Sequence, residues 1–576
     1  MMHDGTEDGA RKISALSIVG VTVPGLVSCV VVAARAAEFA DRSSFAGILL
    51  VALVAAVALM ALACWPGPVR RAFRFRHARA DALVGVTLAV VGVGVWARAL
   101  NRNLRFPTVF TVDAAHHGAL VAWIVDHQRL ASVTATVDPL LGGLTAYPQG
   151  GHVSSAILSW ASGVPPLTAL WLVAVGSVAT IFVVVAALAC ETSVHRSGVA
   201  GIVAVCLCLL AWRFTLGMVT VEFFFAQAVG LAITMAGVLA VVVGVRYRLA
   251  WWRWAPASAV FAAASYFTYP QQAAMVPCAL GIGVWSTWRR DRERIGPKAI
   301  AAAVAGMALA VAAGLLLLRR SGFLNSGALF GQGEGVVATL QVARVGGWVP
   351  VVLVVWGVVV NVRSVFLRGP RVPTEGVPAA AVVLGAFAVP VGLALGLWSL
   401  QHGFPVHAPV TSYRISKNIF AAVPFAAVIA GSGVAALVPM GGVRTRAFAV
   451  AAAIVTMVVP FQPRILALTR TPIVSADGYA LARWAGLRFD PTDIGLAGPG
   501  LEPYVLWWAG IRRPIPVDPN DHAEVPTFTR WADWPARGPA TRYLLVSGRE
   551  LADRYAQRPG VRLVRRLGTA ALFERT

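Results

Sequence analysis

The chain has 576 residues, is 58% hydrophobic and only 13% charged, and has a mean hydropathy of +0.71, which excludes an ordinary soluble globular protein. Lys and Arg outnumber Asp and Glu by 49 to 26, a formal charge of +23. In a soluble chain that excess would suggest nucleic acid, but here the basic residues sit in short connections between apolar runs, so they read as topology signals facing anionic membrane lipid and no nucleic-acid partner is expected.

Almost all the positive charge is Arg, with Lys only at Lys12, Lys298 and Lys417, and the heavy use of Ala, Val, Gly and Arg resembles a high-GC, actinobacterial coding sequence. Cys29, Cys64, Cys190, Cys206, Cys208 and Cys278 all lie inside apolar runs. Neither a disulfide framework nor a zinc site is indicated.

From the N-terminus, Arg11 and Lys12 precede an apolar segment, and Ala34-Arg35-Ala36 resembles a signal-peptidase site. The run 13–34 is long for a signal peptide, so it reads as a retained first span. Further runs long enough to cross a bilayer follow at 45–65, 81–99, 167–190, 198–213, 223–245, 254–268, 270–287, 299–318, 347–362, 377–399, 417–438 and 447–463, about 13 spans in all. The pair at 254–268 and 270–287 is short and meets at Thr268-Tyr269-Pro270, which suggests a broken or re-entrant pair.

The Arg-rich connections at 70–79, 246–254, 288–298, 363–371 and 441–446 all fall inside if the N-terminus is cytoplasmic. An odd number of spans then sends the C-terminus out. The expected fold is an α-helical polytopic plasma-membrane protein, residues 1–463, with an outer loop at 100–166. A small α/β extracytoplasmic domain at 464–576 follows, in which ADGYALARWAGL suggests a helix and TRYLLVSG, RELADRYAQ and VRLVRRLGTAALFER suggest strand, helix and a strand or hairpin.

The stretch 101–152 is the longest polar interruption of the apolar part, and it gathers Asp113, His116, His117, Asp126, His127, Asp138, Tyr147 and His152. If 112–130 is an amphipathic helix at the outer surface, Asp113, His116 and His117 share one face at i, i+3 and i+4. A carboxylate with imidazoles so placed serves either as a general base with orienting partners or as ligands of a divalent cation such as Mg or Mn, with Asp113 and His117 the candidate ligands. The alternative is a solvated face with no task. Tyr147-Pro148-Gln149-Gly150-Gly151-His152 closes the loop, where paired glycines permit a tight turn or a close approach and His152 starts the next helix.

A second cluster, His402, His407, Tyr413, Arg414 and Lys417, lies in the outer connection before the run 417–438. Arg414 and Lys417 can point to one side of a helix N-terminus, where exposed N–H groups and two cations suit a phosphate. Snorkelling to lipid head groups is the plainer reading. Glu222 with Gln227, and Tyr269 with Gln271, are lesser candidates, since Glu222 is an ionisable group near a span end and Tyr269 flanks the expected helix break.

An acidic residue in the first large outer loop, Asp113 with His116 and His117, then Tyr147-Pro148 and His152, then Tyr413-Arg414 and Lys417 at a late span, then an outer tail, resembles the GT-C superfamily of polytopic glycosyltransferases. Two added N-terminal spans set the loop later than is usual there, and the paired acidic residues of several members are absent at Asp113. The resemblance implies a polyprenyl-phosphate sugar donor and an envelope glycan, lipid or protein as acceptor. It places Asp113 as base or metal ligand, and transfer would invert the anomeric carbon. Beside that resemblance, Tyr413, Arg414 and Lys417 at the helix N-terminus are the expected holders of the donor phosphate, and Tyr147, His152, Glu222, Tyr269 and His407 the expected lining residues.

Two other classes stay open. A lipid-linked-sugar flippase or other transporter would place polar groups near the middle of several spans, whereas here they gather at span ends. A non-catalytic envelope scaffold would bind through its tail and leave Asp113 dispensable.

Overall fold

The structure is a computed structural model and describes residues 15–39, 44–64, 112–131, 147–193, 197–220, 223–291, 348–366, 377–404, 412–437, 476–497 and 541–576, with the single positions 85, 88, 92, 534 and 536. Among them the protein is mostly helical, with one small sheet near the C-terminus. The helices of the apolar part are α1 (Ala15–Phe39), α2 (Phe45–Cys64), α3 (Val112–His127), α4 (Gly150–Ser162), α5 (Pro166–Thr192), α6 (Ser197–Leu210), α7 (Phe225–Arg246), α8 (Trp251–Thr268), α9 (Met275–Asp291), α10 (Trp348–Phe366), α11 (Val377–Gln401) and α12 (Ser412–Leu437). Every apolar run of the sequence coincides with one of these, except 81–99, 299–318 and 447–463, which lie outside the described residues apart from the three single positions. Five helices, α1, α5, α7, α11 and α12, are long and apolar enough to cross a membrane by length and composition.

Helix α7 is the centre of the bundle. It is apolar on every side, and only Val243 and Arg246 of its residues are not buried, as expected of a helix with no polar face. It packs against α1, α5, α8, α9 and α11. Helix α2 lies at the other extreme, leaving Leu50, Val51, Val54 and Val57 exposed, the surface a lipid-facing wall presents. The break expected between the two short runs is present. Helix α8 ends at Thr268, Tyr269 is extended at φ −155°, a 3-10 turn covers Pro270–Gln272, and α9 resumes at Met275.

The two ends of α7 hold different chemistry. At its C-terminal end, the buried carboxylate of Glu191 from α5 accepts from Ser17 of α1 at 2.7 Å and from the Tyr247 hydroxyl at 3.1 Å, and pairs with Arg246 Nε at 3.3 Å. Four groups from three segments thus satisfy one another, the condition under which a charge is tolerated inside an apolar bundle. The other end, 22 residues or about 33 Å away at 1.5 Å per residue, carries the aromatic and imidazole cluster described below.

Near the C-terminus a four-stranded sheet runs in the order β1-β2-β4-β3, with β1 (Ile494–Ala497), β2 (Tyr543–Ser547), β3 (Val561–Leu567) and β4 (Ala570–Arg575). β1 and β2 are parallel; β2 with β4 and β3 with β4 are antiparallel. Alternation divides the side chains between two faces. Tyr543, Leu545 and Leu572 share a core with Leu481 and Ala485 of α13 (Ala476–Gly486), while Leu544, Val546 and Phe573 pack with Leu551 and Tyr555 of α14 (Arg549–Ala556) and with Trp534. The sequence pattern suggests α13, β2, α14 and the β3–β4 region; β1 and its parallel pairing with β2 are additional.

Candidate active site at one end of the bundle

Asp113, His116 and His117 lie on α3, in the helical register that puts them on one face. The side chains of Asp113 and His116 lie outside the described residues; that of His117 is buried. Helix α3 corrects one expectation, since it is not an amphipathic surface helix. The stretch from His117 to Ile124 is buried throughout, because GALVAWIV offers no polar face and packs instead against α4 and α5. Asp126 and His127, at its end, are exposed, and His127 stacks on Trp123 with ring centroids 4.1 Å apart.

Gln149 sets the angle between α3 and α4. Its amide clamps the backbone of Ala131, donating to the carbonyl at 2.7 Å and accepting from the N–H at 2.8 Å. Gly150 and Gly151 then begin α4 where no side chain fits. A Cβ on Gly150 would collide with Thr268 Oγ1, and one on Gly151 would stand 3.0 Å from the Phe225 ring. His152, third in the helix, is therefore carried into full burial, where its Nε2 lies 2.7 Å from Nδ1 of His117. Tyr147 meets the His117 ring edge-on at 5.5 Å, and Phe225 contacts both imidazoles at 5.5 and 5.3 Å. Burial pushes the His152 imidazole down to about 3, with a backbone hydrogen bond at Pro148 opposing in part, so His152 stands neutral at physiological pH.

The segment Phe223-Phe224-Phe225 connects this pair to the second cluster. Phe223 sits at φ +54°, the left-handed region that a bulky side chain rarely adopts. The N–H of Phe225 then bonds the carbonyl of Phe223 at 2.7 Å, around Phe224 at φ −73° and ψ 63°, an inverse γ-turn. The three rings consequently face two ways. Phe223 and Phe225 stand against His117, while Phe224 takes the ammonium of Lys417 at 4.9 Å from its centroid, with Tyr269 on the same cation at 5.8 Å. Gln227 Nε2 donates to the Lys417 carbonyl at 2.6 Å, tying α7 to the first turns of α12.

His117 and His152 of the first cluster and Lys417 of the second therefore meet across one aromatic turn. Tyr413 and Arg414 have helical backbone in α12, their side chains lying outside the described residues, and Glu222 and His407 lie outside them altogether. Tyr269 is half-buried, and its hydroxyl reaches Gln271 Oε1 at 3.1 Å. His402 caps the end of α11 by bonding the Trp398 carbonyl at 2.8 Å.

Sequence reasoning did not single out three positions. Phe223 and Phe225 read as the start of a span, and Gln272 as part of one. Gln272 is 2% exposed, yet neither atom of its amide has a hydrogen-bond partner, and the same holds for Oε1 of Gln227 and Oγ1 of Thr268. The signal available was a Gln pair directly after a proline inside an apolar run. For a cation, His117 has Nδ1 engaged by His152, and no group of three His, Cys, Asp or Glu side chains converges among the described residues.

No protein-family model matches the chain, and no curated protein matches it. Among solved structures it is similar to ArnT from Cupriavidus metallidurans bound to undecaprenyl phosphate, with 14% identity and a TM-score of 0.44 over 86% of this chain and 98% of that one. It is also similar to the same protein in the apo state, with 13% identity and a TM-score of 0.41 over 85% and 97%.

Proposed function

We propose that the chain is a plasma-membrane glycosyltransferase that moves a sugar from a polyprenyl-phosphate donor to an extracytoplasmic envelope acceptor. The observation that supports it is the meeting of the Asp113 helix, through His117 and His152, with Lys417 across the Phe223-Phe224-Phe225 turn. A carboxylate and imidazoles on one side, and cations at a helix N-terminus on the other, suit a reaction that takes a proton at one point and leaves negative charge at another.

Asp113 deprotonates the acceptor hydroxyl as its oxygen attacks the anomeric carbon. The new C–O bond forms while the bond from that carbon to the phosphate oxygen breaks, with inversion. The released phosphate monoester is held by Lys417, Arg414 and the first N–H groups of α12. The positive-inside pattern puts the His117 end of α7 outside, since the Arg-rich connection 246–254 leaves from the opposite end. The C-terminal sheet region, 464–576, then lies on the same outer side as a separate domain.

Replacing Asp113 by Asn is expected to abolish transfer from a purified polyprenyl-phosphate sugar while the protein stays folded and still retains lipid on extraction. Wild-type transfer by that variant would remove Asp113 from the mechanism. A purified protein that neither carries nor takes up a polyprenyl phosphate in native mass spectrometry would end the reading altogether.

A further inference from the structure

We infer that the amides of Gln227 and Gln272, at the break between α8 and α9, form the subsite for the sugar of the lipid-linked donor, and that this sugar is neutral and presents free hydroxyls to both. The inference names the substrate class of the transferase reading and rests on that reading for the lipid phosphate beside the sugar.

The two amides come to one place from different elements. Gln227 lies in the first turn of α7, and Gln272 in the 3-10 turn Pro270–Gln272. Gly230 follows Gln227 by three residues on the same face of α7, and it lets the turn lie directly against that face. A Cβ on Gly230 would stand 2.6 Å from Cβ of Tyr269 and 3.1 Å from Oε1 of Gln272. Helix α12 packs on the same turn. Its Lys417 accepts from Gln227 Nε2 on the backbone carbonyl at 2.6 Å and holds its ammonium 5.8 Å from the centre of the Tyr269 ring. Two amides, an aromatic ring and a cation therefore converge where α7, α12 and the break meet.

What the amides lack identifies the group they take. Gln227 and Gln272 are 1% and 2% exposed, yet Oε1 of Gln227 and both polar atoms of the Gln272 amide have no hydrogen-bond partner. Buried polar atoms in a folded protein are nearly always bonded, so three unmet atoms on two side chains at a helix break mark a site that its ligand completes. The orientation of Gln227 is fixed, because the Lys417 carbonyl only accepts and so takes the NH2 end. The free atom of Gln227 is thus an acceptor. Gln272 offers one acceptor and one NH2 group whichever way its amide is turned.

Two acceptors and one donor group are therefore unmet. An ionised phosphate brings acceptors only and would leave both amide oxygens unbonded. Hydroxyls donate and accept, so a polyol satisfies all three atoms. An ammonium would also donate, but it would enter beside the Lys417 ammonium, and like charges so placed repel. The donor is accordingly divided between neighbours, with Lys417 facing the phosphate and the amides reading the sugar. Tyr269, Gln271 and Ala273 are only partly buried and Ala274 is exposed. The turn thus lies at the edge of the bundle, and a small shift of it uncovers both amides.

The test reads lipid binding to the full-length protein in nanodiscs, with decaprenyl phosphate alone and decaprenyl phosphate carrying glucose, mannose or arabinose as probes. Wild-type protein should bind at least one glycosylated probe about tenfold or more tighter than the bare lipid. A probe with an amine in place of a hydroxyl on that sugar should bind about tenfold more weakly than its hydroxyl counterpart. Gln272→Met should remove the preference while leaving the affinity for decaprenyl phosphate within about twofold. No preference for any of the sugars, equal or tighter binding of the amino probe, or a preference that survives in Gln272→Met overturns the inference. An equal loss of affinity for bare and glycosylated lipid in that variant overturns it as well, by assigning the amides to the phosphate. The wild-type comparisons stand even if the variant does not fold. Protein that takes up no decaprenyl phosphate at all removes the transferase reading itself, whereas uptake of the bare lipid without a sugar preference removes only the sugar subsite.

Discussion

Gln272 offers the sharpest test of whether the polar groups at the α8–α9 break serve a ligand. Its amide is 2% exposed and neither atom has a partner, and it is wedged so closely that a Cβ on Gly230 of α7 would stand 3.1 Å from its Oε1. Each buried polar atom left unbonded costs about 1–3 kcal/mol. Methionine has nearly the same length and volume and no polar head, and repacking a volume-conserving swap costs under about 1.5 kcal/mol. Two unmet atoms against that repacking leave a net gain of about 2 kcal/mol for Gln272→Met. A group retained at such a cost is one whose partner arrives with the substrate, as expected where stability and activity trade against each other. The variant should therefore melt higher in detergent micelles than wild type, while kcat/KM for the polyprenyl-phosphate donor falls about tenfold, the equivalent of one lost hydrogen bond of about 1.4 kcal/mol. Lower melting would mean that Gln272 is bonded in the resting protein. Higher melting with undiminished transfer would mean that the amide has no task.

Lys417→Gln should lower kcat by about 100- to 1,000-fold if its ammonium meets the leaving phosphate, with Lys417→Arg retaining part of the rate; wild-type kcat in Lys417→Gln rejects the role. At the opposite end, Glu191→Ala strands the Arg246 guanidinium, which is only 11% exposed, and should cost about 3–5 kcal/mol, while Glu191→Met combined with Arg246→Met should recover most of it. A thermal melt of the two variants reads this directly, and equal losses in both would show that packing rather than charge is at stake. His152 is held near 3 in the folded protein against 6.5 in a free imidazole. Its contribution to stability is complete above pH 6.5 and drains away as pH falls towards 3, reaching a loss of about 2 kcal/mol at pH 5. Denaturation midpoints between pH 8 and pH 5 should fall less in His152→Gln than in wild type, and parallel curves would contradict the assignment.

Much of the architecture follows from patterns a few residues long. An unbroken run such as that of α7 can only be a buried or membrane-crossing helix, Pro270 announces the break after α8, and TRYLLVSG beside a basic hairpin announces β2 to β4. The position of α3 was misread because a helix carrying Asp113 and His117 was expected to float at a surface, although GALVAWIV has no face suited to water. The site itself depends on pairings across the chain. His117 meets His152 at a separation of 35 residues, and Gln227 meets Lys417 at a separation of 190. Periodicity says which side of its own helix each residue occupies, and nothing of what another helix brings to that side.

The strain at Phe223 shows how the bundle supports this end of α7. A non-glycine residue in the left-handed region costs about 1–2 kcal/mol. Burial of a phenylalanine ring returns about 1.5–3 kcal/mol, and Phe223 and Phe225 are 1% and 0% exposed. The turn is therefore held by the two rings that grip the imidazoles, and the same reversal delivers Phe224 to Lys417. A glycine at 223 would relieve the backbone but remove a ring worth more than the strain. The strained conformation is favourable only while the aromatic contacts to His117 persist, which couples the geometry of the imidazole pair to that of the cation across one residue.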